Sequence, residues 1–209
     1  MRLAFSLIFV VLLLAVATPF VVAVQFWSDA ESMVARADQN GTLRPAAGAR
    51  PLWTAERVIA VDQFSETWRG HAFPCRTLSL MWTDFTDPDA HPPSMPVSQR
   101  AATAILGDRR GASVRWQTRR LLVACALERR FSDGQLLRIW LAQARIDASA
   151  PGLDAAARAI FNKPAQDLNL DESAKLAALL HEPALRNQPE RWSAQGQTLR
   201  DRVLARARH

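Results

Sequence analysis

LERRFSDGQLLRIWLAQARID, residues 127–147, and GLDAAARAIFNKPAQDLNLDESAKLAALLHEP, residues 152–183, are the two stretches that decide the fold of this chain. In the first stretch, Ser132 and Gln135 have the spacing of a capping box, in which side chains satisfy the free N–H groups at the start of a helix. Apolar residues then supply one broad face from Leu136 to Leu141. This pattern predicts an amphipathic helix that begins after Ser132.

The second stretch predicts two more helices, divided by Asn162-Lys163-Pro164. One helix is expected at about 153–161. The next begins at Asn169, which is a good N-cap residue and has Glu172 three positions later. It should end before Pro183, because a proline disfavours helical geometry in the residue that precedes it.

Together the two stretches resemble the C-terminal half of the glycosyltransferase family 51 domain, the peptidoglycan transglycosylase of penicillin-binding proteins and monofunctional transglycosylases. Leu127 to Ser132 is similar to the opening of that family's LERRYS segment, and the second stretch follows its GxEAAARxYFGKP pattern and the apolar ladder beyond it. The matching positions are Gly152, Ala155 to Arg158, Phe161, Lys163, Pro164, Leu168, Leu170, Glu172, Ala174, Leu176, Ala177, Leu179 and Pro183. The resemblance implies a mainly α fold, namely a lysozyme-like transglycosylase domain.

An apolar run from Leu3 to Val24 precedes this domain. As a helix it would be about 33 Å long, which is enough to cross a bilayer core of about 30 Å. Arg2 lies before the run and Asp29 after it, so the positive-inside rule places the N-terminus in the cytoplasm. A cleaved signal peptide is the alternative, because Ala15-Val16-Ala17 has the small-x-small form of a cleavage site.

We therefore predict two parts, a single transmembrane signal-anchor at 1–26 and a transglycosylase-like domain at 27–209. The anchor would lie in the inner (cytoplasmic) membrane as a single-pass helix, with the domain in the periplasm. In that compartment Cys75 and Cys125 can pair as a disulfide, although two buried thiols fit the sequence as well.

The remaining segments complete a helical chain. A short strand or buried turn is expected at 77–82, and the acidic, proline-rich segment 84–96 cannot be helical throughout. Further helices are expected at 28–37 with Ser28 as its cap, at 54–68, at 100–106, at 113–130 and at 197–207.

The family, as the resemblance implies, polymerises lipid II with a glutamate as general base, in a motif like EDxxFxxHxG. Asp84 and His91 have the required separation of seven positions, so Asp84 is the predicted catalytic base and His91 a predicted substrate contact. A second placement uses Asp62 and His71, but its spacing departs from the motif. The residues Asp84, Asp87 and Asp89 also suit turns beside prolines, which is the structural alternative.

Two further family motifs survive only in part. Gly111 to Gln117 resembles the GGSTITQQ motif, and it assigns Ser113 and Gln117 to substrate binding. Arg120 occupies the position of a second glutamate, in a motif like RKxxE, so the charge there is inverted. Arginines suit diphosphate groups, and the predicted contacts on this segment are Arg115, Arg119 and Arg120, unless they form a solvated helix face. Glu128 is expected to be structural.

These features predict a membrane-anchored protein of peptidoglycan biosynthesis that acts on or binds lipid II or the nascent glycan strand, with a degenerate site and weak or absent glycosyl transfer. The alternatives are a non-catalytic scaffold for other cell-wall synthesis proteins and an unrelated anchored helical protein. No cofactor is implied, although a divalent metal can serve the diphosphate in that family, and the histidines form no metal-spaced cluster. The formal net charge of +6 comes without basic runs interleaved with aromatics, so nucleic acid is not a predicted partner.

Overall fold

The computed structural model describes residues 2–44, 50–64, 75, 95–107, 113–146 and 151–207, and it describes their side chains except at 2–20, 183 and 207. This part of the chain is built from α-helices and short 3₁₀ turns, and it contains no β-strand. The α-helices in chain order are α1 (Arg2–Gln39), α2 (Thr54–Phe64), α3 (Val97–Leu106), α4 (Val114–Glu128), α5 (Asp133–Gln143), α6 (Leu153–Phe161), α7 (Leu170–His181) and α8 (Pro189–Ala207). The mainly α prediction is confirmed at this level.

The helices pack in two groups around one core. In the first group, α3 lies against both α4 and α5, and α1 lies against α4. In the second group, α2, α7 and α8 pack against one another, and α2 also contacts α5. Large side chains buried almost completely between them include Val34, Ile59, Phe64, Leu127, Leu137, Ile139, Leu176 and Leu179. The end of α2 therefore lies where α7 and α8 meet the rest of the domain.

The helix starts that the sequence predicted in the deciding stretches are confirmed. The backbone N–H of Ser132 donates to Gln135 Oε1 at 2.9 Å, which satisfies an N–H at the start of α5. Asn169 and Glu172 exchange hydrogen bonds of 2.9 and 3.0 Å at the start of α7, and the two together form a capping box. Local polar chemistry thus fixes where both helices begin.

Gly152 lies at the start of α6 in a conformation that only glycine adopts without strain. Its φ is +109°, and a Cβ there would lie 3.3 Å from the carbonyl oxygen of Ala142. The glycine that matched the family pattern is therefore required by the backbone, and it turns the chain from α5 into α6.

Two predicted helix starts were wrong. Ser28 was expected to cap a new helix, but α1 continues through it without a break. Ala30, Val34 and Ala37 recur on one face of α1 and are buried, so packing keeps this segment helical across the serine. The last helix was expected from about 197, but α8 begins at Pro189, because proline is well tolerated in the first turn of a helix.

The predicted membrane anchor falls mostly on residues 3–20 of α1, whose side chains lie outside the described set. Among the residues whose side chains the structure describes, no helix combines the length and the apolar character that crossing a membrane requires. The anchor at 1–26 therefore stays a prediction. The expected strand or turn at 77–82 also falls outside the described residues.

A disulfide joins Cys75 to Cys125 on α4, with the two Cα atoms 5.3 Å apart. Both cysteines are almost completely buried. Of the two alternatives that the sequence left open, the structure therefore has the disulfide. It links α4 to a position 50 residues earlier in the chain.

Candidate functional site

The structure describes only some of the residues that the sequence assigned to the site. Asp84, the predicted base, and His91 lie outside the described residues, as does His71 of the second placement. The predicted contacts on α4 are described, and so is Asp62, the carboxylate of the second placement.

The predicted contacts on α4 divide between two faces of that helix. Ser113 caps the helix, because its Oγ accepts a hydrogen bond from the backbone N–H of Trp116 at 3.4 Å. At 100° per residue, Ser113, Gln117 and Arg120 share one face, whereas Arg115 and Arg119 lie on a different one. A single ligand lying along one face of α4 would not meet all five residues.

Two of these arginines already have neighbours within the protein. Arg119 forms an ion pair of 2.9 Å with Asp29 of α1, so it helps to hold α1 against α4. The guanidinium of Arg120 lies 5.2 Å from the centroid of the Trp116 ring, and burial lowers the pKa of Arg120. Arg115 is exposed.

A compact polar cluster lies instead at the C-terminal end of α2, around Asp62. The side chain of Asp62 is 3% exposed. Its Oδ2 lies 2.5 Å from Nε2 of His181, the last residue of α7, and accepts a hydrogen bond of 3.0 Å from Gln63 Nε2. Its Oδ1 accepts one of 3.3 Å from Arg202 Nη1 on α8. We call these four residues the Asp62 cluster.

The Asp62 cluster carries more positive groups around it than negative ones. Arg100 of α3 donates to Gln63 Oε1 at 3.5 Å, and burial lowers the pKa of this arginine. Arg206 of α8 donates to the carbonyl oxygen of Val61 at 3.4 Å, close to the same helix end. The cations complement the negative end of the α2 dipole, and they make this region a polar junction between helices distant in sequence.

A second buried ion cluster surrounds Glu56 in the first turn of α2. Glu56 is 2% exposed, and it accepts hydrogen bonds of 2.9 and 2.7 Å from Arg50 and one of 2.9 Å from the backbone N–H of Trp53. Arg138 of α5 lies 3.5 Å from the same carboxylate and donates to the carbonyl oxygen of Arg50. This cluster joins α2 to α5. Its side-chain acceptor, the Glu56 carboxylate, is buried, so the cluster offers a ligand no exposed side-chain acceptor.

Glu128, at the end of α4, accepts a hydrogen bond of 2.5 Å from Ser98 Oγ on α3. This contact between two packed helices agrees with the structural role that was predicted for Glu128.

Two cavities lie near other parts of the chain. One, of about 670 Å³, is an open groove between α7 and α8 lined by Asn169, Leu170, Asp171, Gln197, Arg200, Asp201 and Leu204. The other, of about 350 Å³, lies at the start of α5 beside Arg50 and Arg138. Neither cavity is lined by Asp62 or His181, so the polar cluster and the cavities are separate features.

Among the residues that the structure describes, no three His, Cys, Asp or Glu side chains converge as metal ligands do.

From the sequence, Asp62 belonged only to the weaker placement of the catalytic base, and His181 and Arg202 were not among the predicted site residues. His181 follows an apolar helix directly before Glu182-Pro183, and Arg202 is one of many arginines in the chain. Their meeting depends on the packing of α2, α7 and α8, which no local pattern encodes. The signal in the sequence that pointed to His181 was an isolated histidine at the predicted end of a helix, two residues before Pro183.

Comparison with known proteins finds similarity to one protein family. A family model described as Transglycosylase matches residues 97–208, which is more than half of the chain. Penicillin-binding protein 1A of Aquifex aeolicus is 40% identical over 73 residues, 34% of this chain and 10% of that protein. Penicillin-binding protein 1A of Rickettsia felis is 38% identical over 85 residues, 41% of this chain and 11% of that protein. The matched part thus spans about a tenth of the length of these relatives.

Proposed function

Because this chain belongs to the transglycosylase family, we propose that it is a membrane-anchored domain of peptidoglycan biosynthesis that binds lipid II or the nascent glycan strand. In this proposal its glycosyl transfer is weak or absent. The observation that carries the proposal is the family match from residue 97 to residue 208, which covers α3 to α8. We further propose that these helices have the lysozyme-like arrangement of that family.

The proposed ligand is a lipid-linked diphosphate, and the arginines of the chain suit it chemically. Guanidinium groups bind phosphate oxygens with two parallel hydrogen bonds. Arg115 is exposed and Arg120 partly so, whereas Arg119 would have to share its charge between the ligand and Asp29. Arg115 and Arg120 are therefore the first contacts to test. Arg120 shares its face of α4 with Ser113 and Gln117, whereas Arg115 lies on another face.

The proposed weakness of glycosyl transfer follows from the replacement of the family's two catalytic glutamates. Arg120 stands where the family resemblance places a second glutamate. Asp84, which stays the sequence-based candidate for the base, is one methylene shorter than glutamate, and a misplacement of about 1 Å can lower a rate about a hundredfold. The oxygens of Asp62 are both engaged by protein groups, so this carboxylate does not present a free oxygen to a substrate hydroxyl.

A non-catalytic scaffold role, in which the domain holds other cell-wall synthesis proteins, is the second candidate. It is favoured by the same inverted charge at Arg120, because binding a protein partner needs no carboxylate pair. In either case we propose that residues 1–26 form a single-pass anchor and that the domain lies in the periplasm. The disulfide between Cys75 and Cys125 supports this location, since disulfides persist in oxidising compartments.

The test uses the full chain in lipid vesicles with labelled lipid II. We expect saturable binding, weakened at least tenfold by Arg115→Ala combined with Arg120→Gln, together with little glycan polymer. Arg158→Ala is the matched control, because Arg158 is an exposed arginine on α6 that pairs only with Asp154 among the described residues. Polymer formed as fast as by an active penicillin-binding protein would contradict the degenerate site, and a lack of saturable binding would favour the scaffold.

A further inference from the structure

The Asp62 cluster contains a pair of groups arranged for proton transfer. Asp62 is buried, with 3% of its side chain exposed, whereas the side chain of His181 is 52% exposed. The two residues are 119 positions apart in sequence, and they meet because α2 packs against α7. A buried carboxylate that holds one nitrogen of an exposed imidazole is the arrangement by which hydrolases orient a catalytic histidine.

The contact determines which nitrogen of His181 carries a proton. A carboxylate only accepts hydrogen bonds, so Nε2, at 2.5 Å from Asp62 Oδ2, is the donor. In the neutral ring the other nitrogen, Nδ1, then has a lone pair and acts as an acceptor. The imidazole side chain that carries this acceptor is half exposed.

The neighbouring groups hold the carboxylate in place. Arg202 donates to Oδ1 at 3.3 Å, and Gln63 donates to Oδ2 at 3.0 Å. Gln63 Nε2 also lies 2.7 Å from His181 Nε2, and because both nitrogens then carry hydrogens this contact is not a hydrogen bond. Arg100 fixes the Gln63 amide from the opposite side. The charged groups that face the pair are thus Arg202 from α8, Arg100 from α3 and Arg206 near the end of α2.

From this geometry we infer that His181 is the general base of the residual glycosyl transfer and that Asp62 is its positioning residue. The inference rests on the proposed function. His181 Nδ1 takes the proton of the acceptor sugar hydroxyl, and the hydroxyl oxygen forms the new bond to the anomeric carbon of the donor. The bond from that carbon to the lipid diphosphate breaks, and the diphosphate leaves with the electron pair.

This assignment supplies a base at a site that lacks the catalytic glutamates of the family motifs. Asp62, which takes the glutamate position in the second placement of the motif, is one methylene shorter than glutamate, but the imidazole that it holds extends outward from the buried carboxylate. The pair therefore supplies a base from His181 at the end of α7, a position that the family's catalytic motifs did not include.

The first experiment measures glycan polymer from labelled lipid II with the full chain in vesicles, using enough protein to detect slow transfer. We expect His181→Ala to lower the rate about a hundredfold and Asp62→Asn to lower it at least tenfold, with binding of lipid II unchanged. The control Asp154→Asn, which removes a carboxylate on α6, should retain the wild-type rate. Wild-type rates in His181→Ala would overturn the inference.

The second experiment tests the pair without any need for activity. Long-range ¹H–¹⁵N correlation spectra of the full chain report which imidazole nitrogen is protonated, with His181→Gln used to assign the signals. We expect the Nε2–H form in the wild type and a mixture of both tautomers in Asp62→Asn. An Nδ1–H form in the wild type overturns the inference.

If lipid II binds and the tautomer is as expected but no polymer forms, His181 is not a base, while the proposed binding function stands. Loss of lipid II binding itself would refute the proposed function and with it the catalytic role of His181.

Discussion

Arg202 of the C-terminal helix reaches back 140 residues to bind Asp62 Oδ1 at the end of α2, at a distance of 3.3 Å. The same carboxylate binds His181 of α7, so one buried side chain joins three helices. Groups of this kind cost free energy to bury unless all their partners are present. The stability of the junction should therefore depend on Asp62 far more than on other aspartates of the same region.

We expect Asp62→Ala to lower the free energy of unfolding by about 1–3 kcal/mol. The loss stays in that range because His181 and Arg202 are half exposed and water can solvate them once the carboxylate is gone. Urea denaturation followed by circular dichroism measures it. Asp201→Ala is the matched control, because Asp201 is exposed on α8 and should change stability by less than about 0.5 kcal/mol. Equal losses in the two variants would show that Asp62 does not tie the helices together.

Glu56 should be more costly to remove than Asp62. It is 2% exposed and its partner Arg138 is 6% exposed, so a variant that removes the carboxylate leaves the buried Arg138 cation without this counter-charge. We expect Glu56→Ala to lower the unfolding free energy by about 3–5 kcal/mol, or to prevent folding at 37 °C. Replacing the carboxylate and Arg138 together, as Glu56→Leu with Arg138→Met, should recover most of the loss. A double variant as unstable as the single one would contradict this account.

The sequence predicted the helices well where local chemistry decides. The caps at Ser132 and Asn169 and the break near Pro164 depend on hydrogen bonds and torsions within a few residues, and all lie within the deciding stretches. The start of α8 was missed because Pro189 resembles a helix breaker until its position in the first turn is known. Ser28 was misread as a cap, since a favourable capping pattern competes with burial of Ala30 and its neighbours.

The candidate site was less predictable for a different reason. Motif spacing describes neighbours along the chain, whereas the Asp62 cluster is formed by residues from α2, α7 and α8. The predicted contacts on α4 follow a motif, but the helix places Arg115 and Arg119 on a different face from Gln117. Which residues share a face can be calculated from the helical period, but which face meets a cleft depends on tertiary packing.

Acid should destabilise the segment around α6 and α7. The backbone N–H of Ala165 and the guanidinium of Arg158 hold the pKa of Asp154 below its ordinary value. The ammonium group of Lys163, at 2.6 Å, does the same for the pKa of Glu172. Because the folded pKa of each group is below the unfolded one, the stabilisation is complete above the ordinary pKa values of about 3.9 and 4.3 and disappears as pH falls through the folded pKa.

We therefore expect the free energy of unfolding to fall as the pH is lowered from about 5 to about 3. Asp154→Asn and Glu172→Gln should each make that decline shallower, by less than about 1 kcal/mol, since Asp154 is half exposed and solvent screens its pair. Urea titrations at half-unit pH steps measure the decline. Asp201→Asn is the control and should leave the slope as in the wild type. A steeper decline in Glu172→Gln than in the wild type would contradict a lowered pKa of Glu172 in the folded state.

The disulfide should stabilise the domain mainly by restricting the unfolded chain. It closes a loop of 50 residues, for which the chain-entropy model gives about 4 kcal/mol, and native disulfides usually contribute about 2–4 kcal/mol. We expect dithiothreitol to lower the free energy of unfolding of the wild type, measured by urea denaturation, by about 2–4 kcal/mol. The double variant Cys75→Ala with Cys125→Ala should match the reduced wild type and be insensitive to the reductant. A reductant effect that persists in the double variant would show that the disulfide is not its cause.

The contact of α8 with α7 depends on the absence of a side chain at Gly196. A Cβ there would lie 3.2 Å from the Cα of Lys175, and the carbonyl of the same lysine accepts a hydrogen bond of 2.6 Å from Trp192 Nε1. Backbone atoms cannot move aside as a side chain can, so a larger residue must push α8 away. We expect Gly196→Val to lower the free energy of unfolding by about 1–3 kcal/mol, measured by urea denaturation.

Ala205→Val makes a similar change on the exposed side of the same helix, and it should cost only about 0.6 kcal/mol of helix propensity. If Gly196→Val is as stable as Ala205→Val, the two helices do not approach as closely as the contact requires. Because α8 carries Arg202, a displaced α8 should also free Asp62 Oδ1, so Gly196→Val and Arg202→Ala should be less than additive.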